Sequence, residues 1–174
     1  MEHNQTNADG INVQSPSSVA RVMKTALDNG LRLELSEYPT GTRTAQQAAS
    51  AVGCAVDQIV KSMVFEADRE ILLALTSGCH QVDPKTLAQL ADVEKCERAD
   101  VDRVREVTGF AIGGVAPFGH KNPIRCWIDP HLITFNRVWA AAGTPRHVFG
   151  IDPQQLVDIT GAIVADFTVT RNKP

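Results

Sequence analysis

The sequence predicts a mixed α/β fold: a single domain in which helices surround a curved, partly antiparallel sheet. Three observations carry this expectation. Helical and strand periodicities alternate irregularly along the chain, unlike the strict alternation of a doubly wound parallel sheet. Two apolar runs, residues 59–66 and 71–76, are joined by the polar turn Ala67-Asp68-Arg69-Glu70, which is a hairpin signal. The 174 residues suffice to bury about two-thirds of the unfolded surface around one core, with too little chain for two comfortable domains.

The elements follow in order. Residues 1–15 are polar and rich in Asn and Gln, and are expected to form a disordered tail ahead of a domain at residues 16–174. Ser15-Pro16-Ser17-Ser18 supplies a helix start, Val19, Val22, Met23, Ala26 and Leu27 recur at helical spacing, and Asn29-Gly30 ends the pattern. Leu31, Leu33 and Leu35 alternate with Arg32 and Glu34, as in a strand with one buried face, up to Tyr38-Pro39. Thr44-Ala45-Gln46-Gln47 has capping-box form and opens an Ala-rich helix reaching Gly53. After the hairpin, Asp83-Pro84 opens a helix through Leu87 and Leu90, and residues 100–107 form a short one with charges facing water. Residues 109–122 contain Gly109, Gly113, Gly114, Pro117 and Gly119 among small apolar residues, too broken for a regular element and too apolar for a solvated linker. Strands are expected at residues 124–128, 138–142 and 162–169, with a helix at residues 153–159 opened by Asp152-Pro153.

Composition excludes several function classes. The start of the chain has no basic region followed by an apolar one, and no apolar run approaches the roughly 20 residues that cross a bilayer, so neither membrane nor export is expected and the cytoplasm is the expected location. A net charge of −3 argues against sliding along DNA, because such binding neutralises many phosphates at once; contact with a nucleic-acid end remains compatible. Cys54, Cys79, Cys96 and Cys126 lie far apart with no C-x-x-C pair, fitting reduced thiols rather than disulfides or a structural zinc site, and neither metal nor cofactor is expected.

Three places could carry chemistry. Lys61 interrupts the apolar run Ile59-Val60-Lys61-Ser62-Met63-Val64-Phe65. A strand puts it on the side of Met63 and Phe65, where a lysine needs an anionic partner, although half the residues of such a strand simply face water. In Gly113-Gly114-Val115-Ala116-Pro117-Phe118-Gly119, glycines free the backbone to aim consecutive N–H groups inward at an oxyanion or a phosphate. The run lacks the endings of a Walker loop and of a dinucleotide fingerprint. Gly143-Thr144-Pro145-Arg146-His147-Val148-Phe149-Gly150 reads as a second glycine-bounded turn carrying an arginine and an imidazole. His80, His120 and His131 read as ordinary, and His3 lies in the tail. No G-x-S-x-G, H-E-x-x-H or protease-type Cys signature supplies a nucleophile, so catalysis here would rest on positioning and electrostatics.

Four segments taken together closely resemble the YbaK-type family of free-standing aminoacyl-tRNA deacylases, relatives of the inserted editing domain of prolyl-tRNA synthetase. They are Thr44-Ala45-Gln46-Gln47-Ala48-Ala49, Ile59-Val60-Lys61-Ser62, the glycine-rich segment from Gly109-Phe110 to Gly119-His120, and Ala142-Gly143-Thr144-Pro145-Arg146-His147-Val148-Phe149. The likeness covers residues 17–161 in the same order and spacing. It implies the fold of that editing domain and hydrolysis, in trans, of the ester joining a small wrong amino acid such as alanine, cysteine or serine to proline tRNA, with proline spared. It also implies Lys61, Gly113 and Gly114 as catalytic, with Lys61 either neutralising the end phosphate or polarising the carbonyl. Thr44, Val115, Ala116, Pro117, Phe118, Gly143 and His147 are implied as substrate-binding, and Tyr38 or Phe65 could supply an aromatic wall. The partner implied is the aminoacyl-tRNA acceptor end, with prolyl-tRNA synthetase or an elongation factor as a transient one. Two other readings stay open at this point: a non-catalytic module that binds an aminoacyl-tRNA end or a synthetase, and a small-ester hydrolase independent of tRNA.

Overall fold

The structure, a computed structural model, describes residues 16–169, so the expected tail at residues 1–15 lies outside the described residues. Helix α1 (Ser17–Asp28) buries Val19, Val22, Met23 and Ala26, the stripe that its sequence spacing predicts. Strand β1 is only Leu35–Glu37. Leu31 and Leu33 do pack against the core, but the chain pairs with a neighbour only from Leu35 onward; alternation recorded a buried side, not a ladder. Helix α2 (Ala45–Val52) starts at the Thr44 capping box, with both reciprocal bonds formed.

A short 3-10 turn, Val56–Gln58, leads into β2 (Ile59–Ala67), which pairs antiparallel with β3 (Ile71–Ser77) as the hairpin signal predicts. Helix α3 (Pro84–Ala91) and helix α4 (Val101–Thr108) start at side-chain caps from Asp83 and Asp100. Between them β4 (Cys96–Arg98) is a strand that the sequence did not signal, because three residues, two of them charged, show no period. Strand β5 (Arg125–Ile128), helix α5 (Pro130–Ile133), strand β6 (Val138–Ala141), strand β7 (His147–Ile151), helix α6 (Pro153–Thr160) and strand β8 (Ile163–Val164) complete the chain. Two expectations change here. Residues 143–150 are not all turn, since β7 begins at His147. The closing strand is two residues long, because the Asp166 side chain accepts from both the amide and the hydroxyl of Thr168 and bends the chain away.

All eight strands form one mixed sheet in the order β1-β7-β6-β2-β3-β5-β8, with β4 on β2 off this path. Along β3, Leu73 and Leu75 face a core built with α1, α4 and α6, whereas Leu72 and Ala74 face a second core with α3, Trp127 and Phe167. That alternation is the two-residue period of a strand buried on both sides.

The positioning feature is the other edge of β2. It pairs with β6 only at Ile59 and Val60, and with β4 only from Phe65 to Ala67. Between the two neighbours the sheet has a gap. Ile59 O accepts from Gly78 N and Ala67 N donates to Glu70 O, both on the β3 side, while Val64 O accepts from Ala99 N on the opposite side. Backbone groups alternate edges along a strand, so the N–H and C=O of Ser62 face the gap.

Candidate active site

A cleft of about 270 Å³ opens at this gap. Residues 59–63 of β2 form its floor, β6 contributes Trp139, Ala140 and Ala141, and Val148 of β7 adds an apolar wall. The segment leading into α2 closes one side through Thr42, Arg43 and the helix cap Thr44, and Ile112, Gly113 and Val115 of the glycine-rich loop close another. Helix N-termini favour negative charge, and exposed Arg43 and Arg98 add two formal positive charges at the rim.

Lys61, Gly113, Val115 and Thr44, named from sequence, therefore share one cavity. Lys61 lies on the face of Met63 and Phe65, as its strand parity predicts, and its Nζ donates to the carbonyl oxygen of His80. The amides of Gly113 and Val115 donate to no acceptor among the described residues, whereas the Gly114 amide is spent on Ala111 O at 3.0 Å. The carbonyl of Ala116 accepts from His120 Nε2 at 2.7 Å, tying the loop's far end to a half-buried ring. Burial holds that imidazole below its ordinary pKa, keeping it the neutral donor that the carbonyl requires.

Other sequence-derived candidates do not reach the cleft. A Cβ on Gly114 would lie 2.5 Å from Thr144 Cα and 2.8 Å from Thr144 N, so this glycine exists for the close contact of two loops. Gly143 likewise abuts the Ser18 backbone, with an added Cβ 2.8 Å from Ser18 C. Ala116, Pro117 and Phe118 are buried beneath the loop, Phe118 with its ring 5.5 Å from that of Phe149. His147 is buried, with Nδ1 2.5 Å from Thr144 Oγ1; on β7 its neighbour Val148 takes the cleft-facing position. Phe65 sits in the second core and Tyr38 outside the lining, so the aromatic wall is Trp139.

Ser62 was missed as well. Ser62 lines the cleft, and its Oγ, on the face of β2 opposite to Lys61, is buried with no hydrogen-bond partner among the described residues, a costly state for a hydroxyl. Its signal in the sequence is a polar residue inside an apolar strand, next to the stronger one of a charge at Lys61. None of the four cysteines lines the cleft, and burial pushes the Cys126 thiol up to about 12, so no thiolate nucleophile serves this cavity.

A model of the aminoacyl-tRNA editing domain matches residues 40–159. The chain belongs to that family. The editing domain superposes with a TM-score of 0.85 on a crystal structure described as a candidate trans-editing enzyme for prolyl tRNA synthetase, at 41% identity over 90% of this chain and 100% of the other. It is 28% identical to YwhH of Bacillus subtilis, described as uncharacterized, over 73% of this chain and 81% of that protein. It is 30% identical to the proline–tRNA ligase of Desulforamulus reducens over 80% of this chain, and the match spans 24% of the ligase. The mixed α/β sheet of this editing domain is thus the fold of its relatives, and the matched segment contains the whole cleft.

Proposed function

We propose that the protein is a trans-acting hydrolase that removes a small, wrongly attached amino acid from tRNA, with proline tRNA carrying alanine, cysteine or serine as its substrate. The observation that carries this reading is that Lys61, Ser62, Gly113 and Val115 line one cleft of a domain in the editing family, with the amides of Gly113 and Val115 donating to no acceptor among the described residues. An aminoacyl ester is already activated, so positioning a water and stabilising the oxyanion suffices; one oxyanion donor contributes roughly 3–4 kcal/mol. The Gly113 and Val115 amides are the donors, Lys61 supplies the positive charge, and the adenosine hydroxyl beside the ester helps orient the water. Ser62 pairs with the polar part of the aminoacyl group. The volume of about 270 Å³ and the walls of Val60, Val115, Ala140 and Val148 suit a small side chain. One methylene is worth only about 1–3 kcal/mol in such a pocket. Prolyl-tRNA synthetase or an elongation factor would deliver the charged tRNA transiently, in the cytoplasm.

The test is release of labelled amino acid from proline tRNA charged separately with alanine, cysteine, serine and proline. Wild type is expected to clear at least one wrong residue and spare proline, and Lys61→Ala to lose about 100-fold or more in rate. A fall confined to kcat assigns Lys61 to the carbonyl, and a rise confined to KM assigns it to the phosphate. Equal rates for wild type and Lys61→Ala on every charged tRNA would overturn the site, and binding without release would establish a non-catalytic module.

A further inference from the structure

Outside the cleft lining, the turn after β3 and the start of α5 bring Cys79, His80 and His131 together. One side-chain donor atom from each lies within 4.8 Å of the other two. Cys79 and His80 are consecutive and His131 lies far along the chain, a spacing that fits no ligand motif. We infer that Cys79, His80 and His131 form a binding site for one thiophilic divalent metal ion, Zn²⁺ foremost.

The surroundings are those that metal-binding imidazoles need. Each ring has one nitrogen committed to a carboxylate: His80 Nδ1 lies 2.7 Å from Asp129 Oδ2, and His131 Nε2 lies 2.9 Å from Asp57 Oδ2. Carboxylates placed behind histidines fix the tautomer and raise ligand basicity. The fixed nitrogens leave His80 Nε2 and His131 Nδ1 as donors, and the ring centroids are 5.0 Å apart. Asp129 is itself immobilised, buried and accepting from the amides of Ser77 at 3.1 Å and His131 at 2.9 Å. Ser77 Oγ donates to Asp57 O at 2.7 Å and lies 3.3 Å from Cys79 Sγ, which holds the cysteine side chain beside the two rings.

One thiolate and two imidazoles form a three-ligand set with an open fourth position, the pattern of zinc sites that keep a water. Around a tetrahedral zinc with bonds of about 2.0–2.3 Å, donor atoms stand about 3.3–3.6 Å apart. One donor atom of each residue already lies within 4.8 Å of the others, and the ion would draw them in by the remaining ångström or so, with both histidine side chains one-third exposed. The same exposure admits the ion from solvent. Occupancy would also stiffen the turn whose His80 carbonyl receives Lys61, but the site stands on its own geometry, whatever the cleft hydrolyses.

The test uses the full chain, free of any affinity tag, stripped with chelator and titrated with Zn²⁺ against a coloured competitor, and separately loaded with Co²⁺. One equivalent of zinc is expected to bind, with at least tenfold weaker binding in Cys79→Ser and in His131→Ala. The cobalt form of the wild type is expected to show a thiolate charge-transfer band that Cys79→Ser lacks. Absence of stoichiometric zinc binding and of that band in the wild type would overturn the inference, with no variant needing to fold. Binding of equal strength in both variants would overturn it too.

Discussion

Ser62 places a hydroxyl where the fold itself offers it no partner among the described residues. A buried hydroxyl without a partner costs about 1–3 kcal/mol, and nothing among the described residues compensates its Oγ. Ser62→Ala is therefore expected to leave thermal stability unchanged or raise it, while slowing hydrolysis of the mischarged tRNA; melting and rate measured on the same preparation check both halves. Gly114 behaves oppositely. A methyl group there meets the Thr144 backbone at 2.5–2.8 Å, so Gly114→Ala is expected to cost about 1–3 kcal/mol of stability, read as a lowered midpoint in urea. Its loss of activity would follow from displaced loops rather than from a lost oxyanion donor, because its amide is already bonded to Ala111. Lys61 and Gly113 were legible in sequence through residue type alone, a charge in an apolar strand and a glycine in a broken loop. Trp139 was not, because its place at the cleft depends on β6 meeting β2 in the register Ile59 to Trp139, and no local pattern encodes a parallel pairing across 80 positions.

Among the elements, the loop at residues 109–122 is held where it is by His120. Its neutral ring donates to Ala116 O, and burial lowers its pKa below the ordinary 6.5. The unfolded chain then takes up the proton near pH 6.5 while the folded chain resists, so the contribution to stability is complete above 6.5 and is lost as pH falls through the folded pKa. His120→Gln keeps a donor without titrating, and is expected to flatten the acid limb of the melting temperature between pH 5 and 7, about the ordinary imidazole pKa. Helices were the most legible elements: α2, α3 and α6 each begin at the cap that the sequence advertised, Thr44, Asp83 and Asp152. Strands were less so. β7 hid behind Gly150, a residue that usually ends a strand but here makes room for the Arg137 side chain, which a Cβ would meet at 2.3 Å, and β4 was too short and too charged to show a period.

For the whole molecule, a net charge of −3 with Arg43, Lys61 and the Arg98 side chain around one cavity confines nucleic-acid contact to a single end. Hydrolysis of charged tRNA at low substrate is expected to fall with salt on a shallow slope, and Arg43→Ala or Arg98→Ala to reduce that slope by about 0.7 each in a log–log plot. A steep slope, as for a protein tracking a duplex, would contradict this geometry. The fold class was readable because hairpin and helix signals are local, whereas the strand order was not, since three of the sheet's seven pairings are parallel and join distant segments. The gap in the edge of β2 has a last consequence. An uncovered strand edge is a template for polymerisation, onto which a second chain adds its own strand. Here the uncovered stretch, residues 61–63, is about 10 Å long at 3.3 Å per residue and is bounded by β6 at one end and β4 at the other. A strand from another copy would collide with those neighbours after a single residue's pair of bonds. The sheet can thus leave backbone open to a small ligand without inviting self-assembly.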